Sequence, residues 1–320
     1  MNYKNITKRY EMSFSEIIMR SLTSLYVISG ILIILVLYRI FIIFSPNGFA
    51  VNEDEWWQRA LIHFVIISII IVTSILFTYV RLGTYTILSD RDNIYISKGI
   101  IHKTQYTIRK DHITAIVMKK TFPRRLLNIV KVELVHFENH SGKENIKIST
   151  LFPLISESQL INVLREIIPE CELKENLDML SKEAYFVHLT EPNYSIVVVT
   201  FFVFFFWPEY WFIPLAFFIW LVLYRISKTN NMKYFLADEQ IQLQSGVFTT
   251  EIIMTEWDKI SEFTLRQSWL EKKLNLATIH LALRGKPNYK CTIEHLHVEE
   301  AIEYLETYQL IKADKHKRKQ

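Results

Sequence analysis

Two groups of basic residues, each set around one aromatic ring, have the side chains and spacing to do recognition chemistry. Lys119, Lys120, Arg124 and Arg125 flank Phe122; Arg266, Lys272 and Lys273 flank Trp269, with Glu271 diluting the charge of the second group. Cations beside an exposed ring suit an anionic lipid surface, because the ring enters the interface while the cations meet phosphates. Each such base contributes about 1 kcal/mol near that surface. The alternative is two core rings beside solvated loop bases, and the sequence leaves both open.

Catalytic patterns are missing from the sequence. It contains no GxSxG, P-loop, GxGxxG or HExxH, so no covalent nucleophile, phosphate cradle or zinc-protease helix is specified. His295 and His297, with Glu294 and Glu299 nearby, suggest a metal site at first sight. They fall between an expected strand and an expected helix, at a spacing that does not share one helix face, and read as polar loop residues. His63 lies near one end of an apolar segment whose neighbours carry no partner carboxylate, so it reads as an interfacial histidine. Cys171 and Cys291 stand alone with no CxxC, which supports neither a disulfide nor a zinc site. The expectation is a chain with no catalytic residue, no cofactor and no metal. Net charge is only +4, and the bases are accounted for by membrane proximity, so nucleic acid is not an expected partner.

The elements that position these groups begin with four apolar segments: Leu22–Phe44, Ala60–Val80, Tyr194–Trp207 and Tyr210–Tyr224. The chain is 50% hydrophobic yet 22% charged, as membrane spans joined to polar domains would be. At the helical rise per residue the first segment reaches about 34 Å, enough for a hydrocarbon core of about 30 Å with tilt. The third and fourth reach only about 21–23 Å. Their dense Phe and Trp, and the Trp207–Tyr210 turn, favour a hairpin, with a re-entrant or bilayer-thinning hairpin as the alternative. The basic N-terminal flank, the acidic Glu53–Glu55 loop beside interfacial Trp56 and Trp57, and the bases Arg81, Arg225, Lys228 and Lys233 place both termini and both polar regions on the cytoplasmic side. Arg39, inside the outer end of the first segment, reads as snorkelling to the interface, or as a functional intramembrane charge. No secretory signal is expected, the first segment being too long for a signal-peptide core, and it reads as an uncleaved anchor.

Each hairpin leads into a similar polar stretch. With Gly99 over Gly246, 36 positions align without gaps and six are identical: Gly99/Gly246, Asp111/Asp258, Ile113/Ile260, Leu127/Leu274, Asn128/Asn275 and Leu134/Leu281. Period-two alternation in Asn93–Ser97, Lys131–Leu134 and Ile279–Leu283 predicts strands. A turn over Asn139–Gly142 leads to a return strand at Ile146–Ile148, and Tyr289–Ile293 is its counterpart. Closing helices follow. The first has a Ser156/Gln159 capping box, a stripe of Leu160, Ile161, Leu164, Ile167 and Ile168, and a stop at Pro169. The second has a stripe of Val298, Ala301, Ile302, Leu305 and Tyr308. Six or seven short strands closed by one helix fit a small antiparallel barrel or sandwich.

The pattern resembles bacterial PH-domain membrane proteins of the YdbS/YdbT type. The resemblance rests on Tyr85-Thr-Ile-Leu-Ser with Ile94-Tyr-Ile-Ser-Lys-Gly99, on Tyr234-Phe-Leu-Ala with Ile241-Gln-Leu-Gln-Ser-Gly246, and on the opening Ser13–Ser24 segment. It implies an α+β membrane protein with two transmembrane helical hairpins, each followed by a PH-like antiparallel sheet unit capped by a C-terminal helix. YdbT-like proteins carry a further PH-like unit ahead of this point, so a shorter relative or a partial product is expected. The layout is then residues 1–82 for the flank and first hairpin, 83–169 for a PH-like domain, 170–193 for a linker, and 194–226 for the second hairpin. Residues 227–310 form the second PH-like domain and 311–320 a disordered basic tail carrying Lys312, Lys315, Lys317, Arg318 and Lys319. The resemblance implies a bacterial cell-membrane location, a smaller YdbS-like membrane partner and protection against antimicrobial peptides, and it brings no catalytic residue. The reading is a non-enzymatic scaffold binding partner proteins or inner-leaflet lipid. The alternative is a transporter or channel component, which four spans and Arg39 allow.

Overall fold

The structure is a computed structural model. It describes residues 8–44, 56–140, 143–168, 173–174, 176–190, 194–237, 240–285 and 289–317. The acidic Glu53–Glu55 loop, Ser141 and Gly142 of the expected turn, Pro169, Cys171, Arg318 and Lys319 lie outside those residues.

In chain order the elements are β1 (Lys8–Glu11), α1 (Phe14–Leu22), α2 (Leu25–Phe44), α3 (Trp56–Leu82), β2 (Thr86–Ser89), β3 (Asn93–Lys98), β4 (Thr104–Arg109), β5 (Ile113–Thr121), α4 (Phe122–Leu126), β6 (Ile129–His140), β7 (Lys143–Ser156) and α5 (Glu157–Ile167). Then come β8 (Asp178–Met179), α6 (Lys182–Thr190), α7 (Tyr194–Phe206), α8 (Phe212–Asn231), β9 (Lys233–Leu236), β10 (Gln240–Ser245), β11 (Thr249–Glu256), β12 (Ile260–Arg266), α9 (Trp269–Lys273), β13 (Leu276–Leu283), β14 (Lys290–His297) and α10 (Val298–Lys317). A strand and a short helix therefore precede the apolar helices both times, a feature the sequence reading did not contain. Short 3-10 turns at Lys110–His112 and Trp257–Lys259 sit at matching places.

Backbone geometry at matching positions follows from local sterics. Gly99 and Gly246 have φ of 97° and 105°. A Cβ on Gly99 would stand 2.3 Å from the His102 carbonyl oxygen, and one on Gly246 would stand 2.0 Å from that of Thr249. Only glycine fits either turn.

By length and composition three stretches are apolar enough to cross a membrane: Ala60–Leu82, Pro208–Asn231, and Lys182–Phe206, which includes residues 191–193 outside the described ones. The helix α2 adds 20 residues of similar composition, Arg39 among them. It starts later than expected because the chain breaks at Thr23, whose hydroxyl donates to the Met19 carbonyl at 2.7 Å and ends α1. The fourth segment is longer than its apolar run. Helix α8 continues past Tyr224 to Asn231, where Arg225 Nη1 donates to the His188 and Leu189 carbonyls at 2.9 Å each. Tyr185 OH donates to Asn230 Oδ1 at 2.6 Å. These bonds satisfy the C-terminal carbonyls of α6 and tie it to α8.

Three groupings make up the sheets. β1-β2-β3-β4 form one, β12-β13-β14 another, and the largest has the order β7-β6-β5-β11-β10-β9-β8. The seven-stranded sheet takes strands from both polar stretches, an arrangement absent from the expectation of two separately closed barrels. Side chains reinforce it: Thr255 Oγ1 donates to the Thr114 carbonyl at 2.7 Å, and Thr114 Oγ1 donates to that of Val135 at 2.9 Å.

The described residues fall into two compact units that interleave along the chain. One holds 1–111, 121–132 and 151–170; the other holds 112–120, 133–150 and 171–320. Within the first, Tyr85, Ile87, Ile94, Ile96, Phe152, Leu154 and Leu160 are buried to 2% exposure or less. Tyr10 meets Phe152 edge-on at 5.1 Å, and its hydroxyl donates to Glu16 Oε1 at 2.9 Å. The core of the second unit is built on Trp257, Ile279, Leu281, Leu283, Ile293 and Leu296. Trp257 Nε1 is satisfied by the Ala237 carbonyl at 2.6 Å.

Some local expectations change. Ser156 begins α5, but its side chain makes no cap bond to the helix; its hydroxyl lies 3.0 Å from that of Ser158 instead. Capping boxes occur at Ser13/Glu16 and Ser268/Glu271. Leu160, Leu164 and Ile167 are buried as a stripe of α5, and Ile168, which caps its end, is buried too. On α10 the inward residues are Val298, Ala301, Tyr304, Tyr308 and Ile311, while Ile302 is 45% exposed. The aromatic residues Tyr304 and Tyr308 stack near Trp257 and Phe263 and rotate the helix away from the expected face. Helix α10 also extends to Lys317, so Lys312, Lys315 and Lys317 are helical rather than part of a disordered tail. Lys312 Nζ donates to Tyr308 OH at 2.9 Å.

Candidate functional site

The two aromatic–basic groups sit on two five-residue helices, α4 and α9, each entered from a strand and left through an asparagine. Asn128 and Asn275 have φ of 51° and 54°, a left-handed conformation that asparagine tolerates better than most residues. Each then redirects the chain into a long strand. The Asn128 carbonyl accepts from Glu157 N–H at 3.0 Å, and that of Asn275 accepts from Val298 N–H at 3.1 Å. Both helix turns are therefore anchored to the starts of the closing helices.

On α4, Phe122 is 58% exposed, and Leu126 beside it is 71% exposed. The bases around the ring have structural engagements. Arg124 is buried, its Nε 3.4 Å from Thr23 Oγ1 at the break between α1 and α2. Lys119 Nζ lies 3.3 Å from Glu133 Oε2 and 3.0 Å from Glu251 Oε1, bridging β6, β5 and β11. Burial alone would lower the Lys119 ammonium, but Glu251 and Glu133 outweigh it and raise it. Lys120 and Arg125 are half-buried.

Helix α9 presents a different surface. Trp269 is 71% exposed, and Lys273 Nζ stands 4.0 Å from its ring centroid, a cation–π arrangement. Arg266 and Lys272 are exposed as well. Glu271, which would dilute the charge, is 3% exposed and points inward. Its carboxylate accepts from Ser268 N–H at 2.6 Å and from Thr278 Oγ1 at 2.6 Å. Burial alone would raise this carboxyl, but the hydrogen bonds from Thr278, Ser268 and His295 outweigh burial and hold it below the ordinary value. The outer face of α9 is thereby left aromatic and cationic.

His295 differs from its sequence reading. It lies within β14, is 5% exposed, and has a φ of 58°. Its partners come from α9, β13 and α6, so nothing in its own neighbourhood of sequence signalled them. His297 is partly exposed, 3.9 Å from Glu183.

Antiparallel sheets, a closing helix and a polar region carried on apolar helices define the class: residues 188–312 match the family described as Bacterial PH domain. Among individual relatives, the chain is 26% identical to the UPF0699 transmembrane protein YdbT of Bacillus subtilis (strain 168), over 97% of this chain and 64% of that protein. The chain is thus similar to a transmembrane protein, carries a match to a bacterial PH domain over part of its length, and spans a little under two thirds of its relative's length. With three stretches able to cross a bilayer, it is a membrane protein of α+β class.

Proposed function

We propose that this chain is a non-enzymatic, multi-pass membrane scaffold. Two transmembrane hairpins would carry two cytoplasmic PH-like domains, 83–169 and 227–310, as a tandem repeat, and the second would read anionic lipid at the inner leaflet. The observation that carries the lipid reading is the outer face of α9. Trp269 stands in solvent with an ammonium over its ring, Arg266 and Lys272 are exposed beside it, and the one nearby acid is turned inward. An interfacial ring ringed by cations is the arrangement that a phosphate-bearing surface rewards. The hairpins would hold this face near the bilayer, so even weak attraction would set its orientation. The repeat reading is supported by the recurring element order and by the paired backbone conformations of Gly99/Gly246 and Asn128/Asn275. In the setting of its relatives, such a scaffold would work with a smaller membrane partner and contribute to tolerance of membrane-active peptides; unchanged peptide susceptibility in a deletion strain would remove that role.

The test uses the full chain in vesicles with brominated acyl chains. The difference in fluorescence between wild type and Trp269→Phe reports quenching at position 269. Quenching that requires anionic lipid, weakens with salt and falls in Lys272→Ala/Lys273→Ala is expected. Equal quenching with and without anionic lipid would sink the lipid reading and direct the search to protein partners of the same face.

A further inference from the structure

A second cluster is joined to α9 through the inward-turned Glu271. His188 on α6, and Glu294 and His295 on β14, offer ligand atoms that all lie within 4.8 Å of one another. His188 Nε2 is 3.3 Å from Glu294 Oε2, and the two imidazoles meet edge to face at 4.4 Å. Both histidines are buried, at 2% and 5% exposure.

Neighbouring strand residues normally point to opposite faces of a sheet, so Glu294 and His295 should diverge. The register explains why they do not. Ala277 pairs with Leu296 and Ile279 pairs with Ile293, so Thr278 stands opposite two residues at a bulge. A bulge bends the strand and re-aims its side chains. The left-handed φ of His295 is the local signature of that bend, and His295 N–H donates to Thr278 Oγ1 at 3.3 Å. Backbone strain at a non-glycine residue thus serves to bring two donor side chains to one place.

Behind His295 stands the group that sets its tautomer. Glu271 Oε1 lies 2.8 Å from His295 Nδ1. A carboxylate at that nitrogen accepts the Nδ1 proton and leaves the Nε2 lone pair for a ligand, the carboxylate–histidine arrangement found behind metal-bound imidazoles. Glu271 is itself oriented by Thr278 and Ser268, so the support shell is built before any ion arrives.

We infer that His188, His295 and Glu294 form a site for a divalent transition metal of the zinc type, with Glu271 as the positioning residue. Two imidazoles and one carboxylate are zinc-class donors, and three protein ligands leave a fourth place for water. Donors bound tetrahedrally at zinc distances are separated by about 3.3 Å; the His188–Glu294 distance already matches, and His295 completes a set whose donor atoms all lie within 4.8 Å of one another. Lys228 Nζ, 2.6 Å from Glu294 Oε2, holds part of the cation's place. It sits partly exposed near the end of α8 and must swing to solvent when a metal binds. Occupancy would clamp α6 to the bulge of β14.

The test titrates cobalt(II) into the full chain in detergent after chelator treatment, reading the visible d–d absorption, with zinc as competitor. One saturable equivalent displaced by zinc is expected. His188→Ala and Glu294→Gln should abolish the band. Glu271→Gln should keep it but weaken affinity by about 10–100-fold. Lys228→Met removes a competing cation at a partly exposed position that tolerates the change, and should tighten binding. Absence of saturable binding in the wild type, a band that persists in His188→Ala and Glu294→Gln, or a Lys228→Met affinity no tighter than wild type would each overturn the site.

Discussion

Asn128 and Asn275 hold the same left-handed backbone position at the exits of α4 and α9, and each carbonyl accepts the first amide of a closing helix. Their side chains are exposed, so geometry rather than packing selects the residue. Replacing Asn275 with alanine should lower stability by about 1–2 kcal/mol, the cost of the left-handed conformation for a residue with a plain Cβ. Asn275→Gly should be close to neutral. Chemical denaturation of the full chain in detergent, followed by far-UV circular dichroism, separates the two.

Lys119 faces two carboxylates across the seven-stranded sheet, and Glu133 is itself buried. Lys119→Met leaves that acid without its cation and should cost about 2 kcal/mol, as expected for a charged hydrogen bond removed from a poorly solvated group. Lys119→Met/Glu133→Gln should recover most of the loss. Because the role of Lys119 is internal, the single variant should leave lipid quenching at position 269 unchanged. A double-mutant cycle in denaturant, with the vesicle assay beside it, checks both statements.

Acid should destabilise the fold in two windows, an upper one shared by His136 and His188, both held low mainly by burial, and a lower one through Glu271. Burial is the main cause holding the His136 imidazole below its ordinary value, so the unfolded chain binds this proton first. Its contribution is fully present above a pH of about 6.5 and is lost as pH falls through that value toward the folded one. Glu271 is also depressed, and its contribution is lost in a lower window, as pH falls below about 4.3. Melting temperature against pH should show the first decline become shallower in His136→Gln and the second flatten in Glu271→Gln.

Cys291 is 4% exposed, and burial pushes its thiol up to about 12. Thiolate is the reactive form, so in a Cys171→Ser background Cys291 should resist alkylation at neutral pH and react only as the chain unfolds. Mass spectrometry after iodoacetamide treatment, with and without denaturant, reads the outcome.

What could be read from the residues was whatever depends on neighbours in the chain. Alternation in β3 and β13 announced strands, because side-chain direction has a period of two. The matched glycines and asparagines were legible only as identities of the repeat; that each takes a positive φ appeared in the structure. Apolar runs announced membrane helices, though α8 outruns its apolar run because Arg225 and Asn230 are held by α6. The α10 stripe was misplaced by Ile302, since which face turns inward is set by Trp257 and Phe263, distant in sequence.

The aromatic–basic groups were visible as composition, but composition did not say which bases are spent internally. Arg124 reaches Thr23, and Lys119 reaches Glu251; those partners lie far away in the chain. The same is true of His188, Glu294 and His295: a strand bulge turns the last two to one side, where α6 brings His188 to meet them. By itself the sequence determined the class of the chain, apolar helices carrying antiparallel sheet units; that the ring of Trp269 is exposed among its cations was decided by the folded structure. Tertiary structure alone decided that one seven-stranded sheet is shared between the two strand runs, and which charges face water. Hydropathy and backbone sterics act over a few residues, whereas ion pairs and buried side-chain clusters are chosen by contacts that exist only once the chain has folded.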